Sequence, residues 1–444
     1  MSTSLLLILV VAIAFLATHV AYEWLARRLL IVSGAEYLIL GVLLGPLVSG
    51  LFPESTTDAF TPVMVLGIGW IGLTLGMSFR LQQLVRIRGL KYRLALVQSL
   101  VTLAAVSSAV TFAVSYAMQV DLEVALIAGT ALGAIAVAST PTGLDVALGG
   151  DRTHAPVVRQ IEVALGIDGV VSVLAFGLLL AWAHQSPPLV VRPLTTTEWV
   201  AVTIGVGVIG GMLFHLFLGD EKQPDRLFIS VAGAVVLVSG TAWYLELSTV
   251  LSALVMGIIL ANTIRNPSPI RKVLASAERP FYYALLLLAG ATWQPDASIV
   301  WWLVIAHYFV LRTMSKLWGT AIVTWWNRAQ EAVGLDWGRA LIGQGRLTIA
   351  LALDYATRRE LPFGDLVFTC AAASVLFTEF FAARFVRSAV GPLLLPIEKL
   401  SETATTVVDS VTETVGSHLP HRIFELDQST SRTRSRGETQ KGGE

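Results

Sequence analysis

Hydrophobic and polar positions alternate along this chain in long blocks rather than at the spacing of a soluble helix or strand. Apolar runs of about twenty residues recur, each long enough to cross a bilayer core as a helix. The pattern predicts thirteen spans, at 4–22, 29–49, 61–79, 94–118, 123–148, 161–183, 198–218, 227–245, 248–263, 280–292, 299–325, 339–357 and 364–388. The runs at 248–263 and 280–292 are the shortest. The first run, "MSTSLLLILVVAIAFLATHVAYEW", lacks the basic leader and small-residue cleavage site of a secretory signal, so it reads as a retained span.

Charge gives these spans a direction. Alternate loops carry seventeen basic residues, from Arg27 and Arg28 through Arg80, Arg86 and Arg88 to Arg328 and Arg339. The intervening loops carry only Arg192, Arg358 and Arg359. The positive-inside rule therefore places the N-terminus outside and the C-terminus in the cytoplasm, as an odd number of spans requires. The composition agrees: charged residues are 14% of the chain, against about 25% in soluble domains. Mean hydropathy is +0.70. The expected protein is all-α and polytopic, with its transporter domain over 1–392, in a cell membrane of prokaryotic inner-membrane type. Basic and acidic residues balance at 31 each, so no global field suggests a nucleic-acid partner. The one cysteine, Cys370, leaves no disulfide or cysteine-metal framework. No cofactor is expected.

After Pro396, Ile397, Leu400, Ala404, Val407, Val408, Val411 and Val415 fall at helical spacing among polar residues. An amphipathic cytoplasmic segment is expected over 393–427, and a disordered polar tail over 428–444. Within the membrane part, "YLILGVLLGP" (37–46) is echoed by "SALVMGIILAN" (252–262), seven spans later. An odd shift inverts topology, and inverted repeats are common in secondary transporters.

Four ionisable residues sit well inside spans: Asp168, Arg312, Lys316 and Arg346. A charge at the centre of a spanning helix costs about 2.5–3.5 kcal/mol on insertion scales, so such residues face a cavity or a partner. Counted from the span ends, Asp168, Lys316, Arg346 and Thr140 all lie about 10–14 Å above the cytoplasmic side. The same layer holds two helix breakers: Pro141 within "STPT" of span 5, and Gly343, Gln344 and Gly345 within "GQGRLTIALAL" of span 12. Non-helical backbone at that depth needs protein or a water-filled cavity to satisfy it, and two interrupted helices in corresponding positions point to a transporter's substrate site. Blander readings stand beside this one. Pro141 can be a simple kink, Arg346 a structural partner of Glu162, Arg312 a packing or snorkelling residue, and His307 and Glu379 structural.

Together, "YLILGVLLGP", the Ser-Thr-Pro-Thr break, "GIDG" (166–169) and "GQGRLTIALAL" resemble the monovalent cation:proton antiporter superfamily, the sodium/proton exchanger fold, over residues 30–390. The resemblance implies a homodimer in which a core domain moves against a dimerisation domain. It places the two broken helices across each other, beside an ion-binding aspartate at Asp168. It makes Lys316 of "SKLWG" the counter-charge, and pairs Arg346 with a span-6 glutamate, for which Glu162 is the candidate. Ile167 stands where the family usually has Asn or Asp, so a second titratable group is missing at the site.

The expected mechanism is competition at one carboxylate, which holds a proton or a cation but not usefully both. Hydroxyls and backbone carbonyls at Ser139, Thr140 and Thr142 supply hard oxygen ligands suited to sodium, with potassium or lithium as alternatives. Two rival classes share the pattern: a sodium-coupled symporter of an organic anion, and a non-transporting membrane sensor. An intramembrane aspartyl protease would need two facing deep aspartates, and only Asp168 is deep.

Overall fold

The computed structural model describes residues 34–52, 59–80, 89–141, 144, 156–184, 194–218, 223–326, 335–358, 360–378, 381 and 384–389. The first expected span, the amphipathic segment and the tail lie outside these residues, as do Thr142 and Glu379. Every regular element among them is helical. In chain order these are α1 (Ala35–Leu44), α2 (Thr61–Met77), α3 (Gly89–Met118), α4 (Leu122–Val137), α5 (Pro156–Ala183), α6 (Thr196–Leu218), α7 (Pro224–Tyr244), α8 (Thr249–Thr263), α9 (Ser268–Ala291) and α10 (Ile299–Trp326). A 3₁₀ turn (Leu335–Leu341) precedes α11 (Arg346–Ala356), and α12 covers Gly364–Thr378. The protein is a multi-pass membrane protein: α3, α5, α6 and α7 each contain a stretch long and apolar enough to span a bilayer alone.

One expectation needs correction. The run at 280–292 is the second half of α9, which begins at Ser268 and continues through Pro280. Its first half, "SPIRKVLASAER", is amphipathic and too polar to stand out as an apolar run, so by pattern alone it reads as a loop. Ile270, Val273 and Leu274 are buried there nonetheless. The helix tolerates Pro280 because proline costs only local hydrogen bonding and a kink.

The echoing segments have a common packing role. A Cβ on Gly41 would lie 2.9 Å from the Gly290 Cα, so α1 and α9 meet backbone to backbone. Tyr37 and Tyr283 stack beside that crossing, with ring centroids 4.4 Å apart. A Cβ on Gly257 would likewise lie 2.9 Å from the Gly76 Cα, where α8 crosses α2. Close small-residue crossings of this kind let dispersion forces hold helices together in lipid, where apolar burial supplies little drive.

The chain leaves helical geometry at both positions where the sequence places a breaker. α4 ends at Val137 and residues 138–141 are not helical; residues 342–345 are not helical between the 3₁₀ turn and α11. The two breaks touch: the Thr140 amide donates to the Gly343 carbonyl at 3.0 Å. Gly345 permits the approach, since a Cβ there would lie 2.9 Å from the Thr140 hydroxyl oxygen.

Candidate functional site

Breaking a helix frees backbone carbonyls, and each must find a donor at membrane depth. α10 supplies three of them. Arg312 and Lys316 are four residues apart and project from one face of that helix. Arg312 donates from Nη1 to the Ile342 carbonyl (2.6 Å) and from Nη2 to the Ala138 carbonyl (3.2 Å), so one guanidinium bridges both breaks. Lys316 Nζ donates to the Val137 carbonyl at 2.8 Å. Ser139 and Gln344 complete the junction. The Ser139 hydroxyl lies 2.9 Å from the Leu341 carbonyl, and the Gln344 amide nitrogens reach the Ile135 carbonyl and the Thr378 hydroxyl.

Asp168, in the middle of α5, sits against this junction with no solvent exposure. Lys316 Nζ lies 2.6 Å from its Oδ2, and both side chains are 0% exposed. Ser139 donates to the same oxygen at 2.8 Å. The other oxygen, Oδ1, accepts from Ser99 (2.6 Å) and Gln98 Nε2 (3.1 Å) on α3. Four donors from three other parts of the chain thus converge on one buried carboxylate, and all four are side chains. An ionised carboxylate is acceptor-only, which this donor set matches.

Beside the pair lies a cavity of about 520 Å³, walled by Ser139, Thr140, Pro141, Glu162, Ile167, Gly345 and Arg346 among others. Ser139 therefore touches both the cavity and Asp168, standing between open space and the buried charge. Of the expected site residues, Asp168, Lys316 and Ser139 come into direct contact. Thr140, Pro141, Gly343, Gln344 and Gly345 form the junction around them, and Thr142 is outside the described residues. Arg346 belongs to the cavity wall rather than to the buried layer: its side chain is 39% exposed and pairs with Glu278 of α9, itself 16% exposed. Glu162 lines the same cavity. The sequence does not single out Glu278, because it falls in the amphipathic stretch between apolar runs. Arg312 is wholly buried, so it neither snorkels nor merely packs.

The sequence does not single out Gln98 and Ser99 by charge either. The signal was available as the only amide inside the apolar run "LALVQSLVTLAAV", but a search restricted to ionisable groups passes over it.

The structure of the sodium proton antiporter MjNhaP1 from Methanocaldococcus jannaschii at pH 8 is similar in fold. It matches with a TM-score of 0.61 at 16% sequence identity, over 87% of this chain and 99% of that one. The structure of the same antiporter from an electron-microscopy map gives 0.60 at 15% identity, over 88% and 99%. Among curated proteins, none matches the sequence. A family model described as the transmembrane part of sodium/hydrogen exchangers matches residues 11–387, nearly the whole membrane part. The chain belongs to the sodium/hydrogen exchanger family.

Proposed function

We propose that the protein exchanges a monovalent cation, sodium first among the candidates, for protons by alternating access at Asp168. The observation that carries this reading is the buried Asp168–Lys316 pair, held against two meeting helix breaks and bonded to Ser139, which also lines a cavity. Family membership supports cation:proton exchange; the geometry supplies a way to do it.

A cation entering from the cavity passes Ser139 and meets the Asp168 carboxylate. That carboxylate already neutralises the Lys316 ammonium, and two positive charges at one anion in a low-dielectric site repel strongly. Loading the cation therefore expels the Lys316 proton to water in the cavity and leaves a neutral amine beside the bound cation. Unloading restores the pair. Strict competition couples the two fluxes without a second carboxylate, so Ile167 is no obstacle. With the N-terminus outside, the cavity opens to the cytoplasm, and rocking of the helices about the junction exposes the site to the other face. By the same resemblance the working unit is a homodimer in a cell membrane.

The test is ion-driven proton flux in proteoliposomes carrying an internal pH dye, with sodium, lithium and potassium compared. Cation-dependent flux that vanishes in Asp168→Asn supports the exchanger. Undiminished flux in that variant removes Asp168 from the mechanism. Flux requiring an organic anion points instead to a symporter. Lys316→Ala should shift the pH optimum or lower stability; no change in either would take Lys316 out of the site.

A further inference from the structure

Gln98 and Ser99 of α3 hold Asp168 in a way that leaves unused capacity for a cation. Gln98 is fully buried, and its Nε2 donates to Asp168 Oδ1 at 3.1 Å. Its Oε1 has no hydrogen-bond partner. The neighbouring carboxylate fixes which end of the amide faces it, because an acceptor-only group demands the nitrogen. A buried amide oxygen without a donor is costly, and native interiors rarely leave one without a reason.

The two serines at the carboxylate are reversible in a similar way. Ser99 has a single hydroxyl proton and two acceptors within reach, Asp168 Oδ1 at 2.6 Å and the Ala95 carbonyl at 2.9 Å. Ser139 likewise reaches Asp168 Oδ2 at 2.8 Å and the Leu341 carbonyl at 2.9 Å. Each hydroxyl can turn its proton onto the backbone and leave its lone pairs facing the carboxylate. Half a turn of the Gln98 amide about its terminal bond brings the unpartnered Oε1 to the same place.

Resting on the exchanger reading above, we infer that Gln98 and Ser99 are cation-selecting ligands. They donate to Asp168 while Lys316 neutralises it, and with Ser139 they reverse to present three neutral oxygens when a cation replaces the ammonium. α3 thereby supplies the polar oxygen that Ile167 does not. Amide, hydroxyl and carboxylate oxygens form a hard donor set, suited to a hard monovalent cation stripped of much of its water.

The test uses the full-length protein in proteoliposomes. Gln98→Met keeps the length of the side chain without polar atoms, and Ser99→Ala removes only the hydroxyl. Each is measured for cation KM, maximal rate and pH profile with sodium, lithium and potassium, and Asp168→Asn is run alongside. The expected result is a KM raised about tenfold or more, from loss of one charge-directed oxygen. The rise should be unequal among the three cations, with the maximal rate at saturating cation largely kept. Cation-dependent thermal stabilisation of the detergent-purified variants should weaken in parallel, a readout independent of turnover. Unchanged KM and selectivity in both variants, with Asp168→Asn inactive, overturns the ligand role and leaves the exchanger reading intact. An equal fall in rate for all three cations, with cation preference kept, makes these residues structural and also overturns it. An active Asp168→Asn defeats the underlying reading and the inference together.

Discussion

Among the described residues, two buried carboxylate–cation pairs have nearly equal length and are built differently. Lys316–Asp168 spans 2.6 Å and joins helices 148 residues apart in sequence. Arg358–Asp354 spans 2.8 Å and lies four residues apart at the end of α11. Asp168 is held by side chains alone among its resolved hydrogen bonds. Asp354 is tied to backbone: its Oδ2 accepts the Thr249 amide at 3.1 Å, while Arg358 donates to the Leu247 carbonyl at 2.5 Å and the Asp354 carbonyl at 3.0 Å. That second arrangement staples the end of α11 to the start of α8. Backbone partners have no alternative, whereas hydroxyls, an amide and a flexible ammonium do. Burial of a charge therefore does not by itself mark a working site. The reversibility of its partners does.

The comparison can be broken most sharply at the two aspartates. Asp354→Ala leaves Arg358 buried without its carboxylate, a change that costs about 3–5 kcal/mol in such pairs. Yield and thermal stability in detergent should fall steeply, and whatever folded protein remains should keep its cation KM. A changed KM with stability intact would place Asp354 in the transport site. Asp168→Asn also takes the carboxylate from a buried cation, but a lysine can be buried neutral where an arginine stays charged, so exchange should be abolished while the fold survives.

Arg312 comes next. Arg312→Leu strips the donors from the Ala138 and Ile342 carbonyls, each worth about 1–3 kcal/mol when buried without a partner. A thermal-stability loss is expected even with cation absent. A stable variant lacking only transport would show that the guanidinium acts on the ion rather than on the junction.

Arg346→Gln breaks a pair that is partly exposed, and such pairs contribute about 0–1 kcal/mol. Stability should barely move, as thermal unfolding would show; a large loss would make Arg346 a structural element of the break.

The smallest expected effect is at His184, just beyond α5, whose ring centroid lies 3.8 Å from that of Trp199. Burial pushes its imidazole below the usual histidine range, against the opposing pull of the Glu246 backbone and charge; nearby Arg358 pushes the same way as burial. The fold thus prefers the neutral ring. Its contribution is fully present above the unfolded value of about 6.5 and is lost as pH falls below it. Thermal unfolding followed from about pH 7 down to 5 should lose less stability in His184→Gln than in the parent. Equal acid sensitivity would show that His184 carries none of it.

Much of this was legible in the sequence because lipid makes charge expensive. Asp168, Lys316 and the two breaks stood out as violations that only a site or a partner excuses. Arg312 is visible in the sequence but its role is not, since its acceptors exist only once the two breaks, 202 residues apart at Ser139 and Leu341, come together. Gln98 and Ser99 were invisible to a search for charge because a neutral amide and hydroxyl are cheap in a helix. α9 was half hidden for the opposite reason. Its amphipathic first turns buried Ile270 and Val273 without ever looking like a membrane span, and Glu278 was lost with them.

The central claim is that cation and proton compete for one carboxylate. The most direct measurement is proton release from detergent-purified protein in weak buffer on addition of sodium, lithium or potassium, with Asp168→Asn as the control. The account requires a saturable release of protons on cation binding that disappears in the variant. Cation binding with no proton released, or the same release from Asp168→Asn, would contradict it.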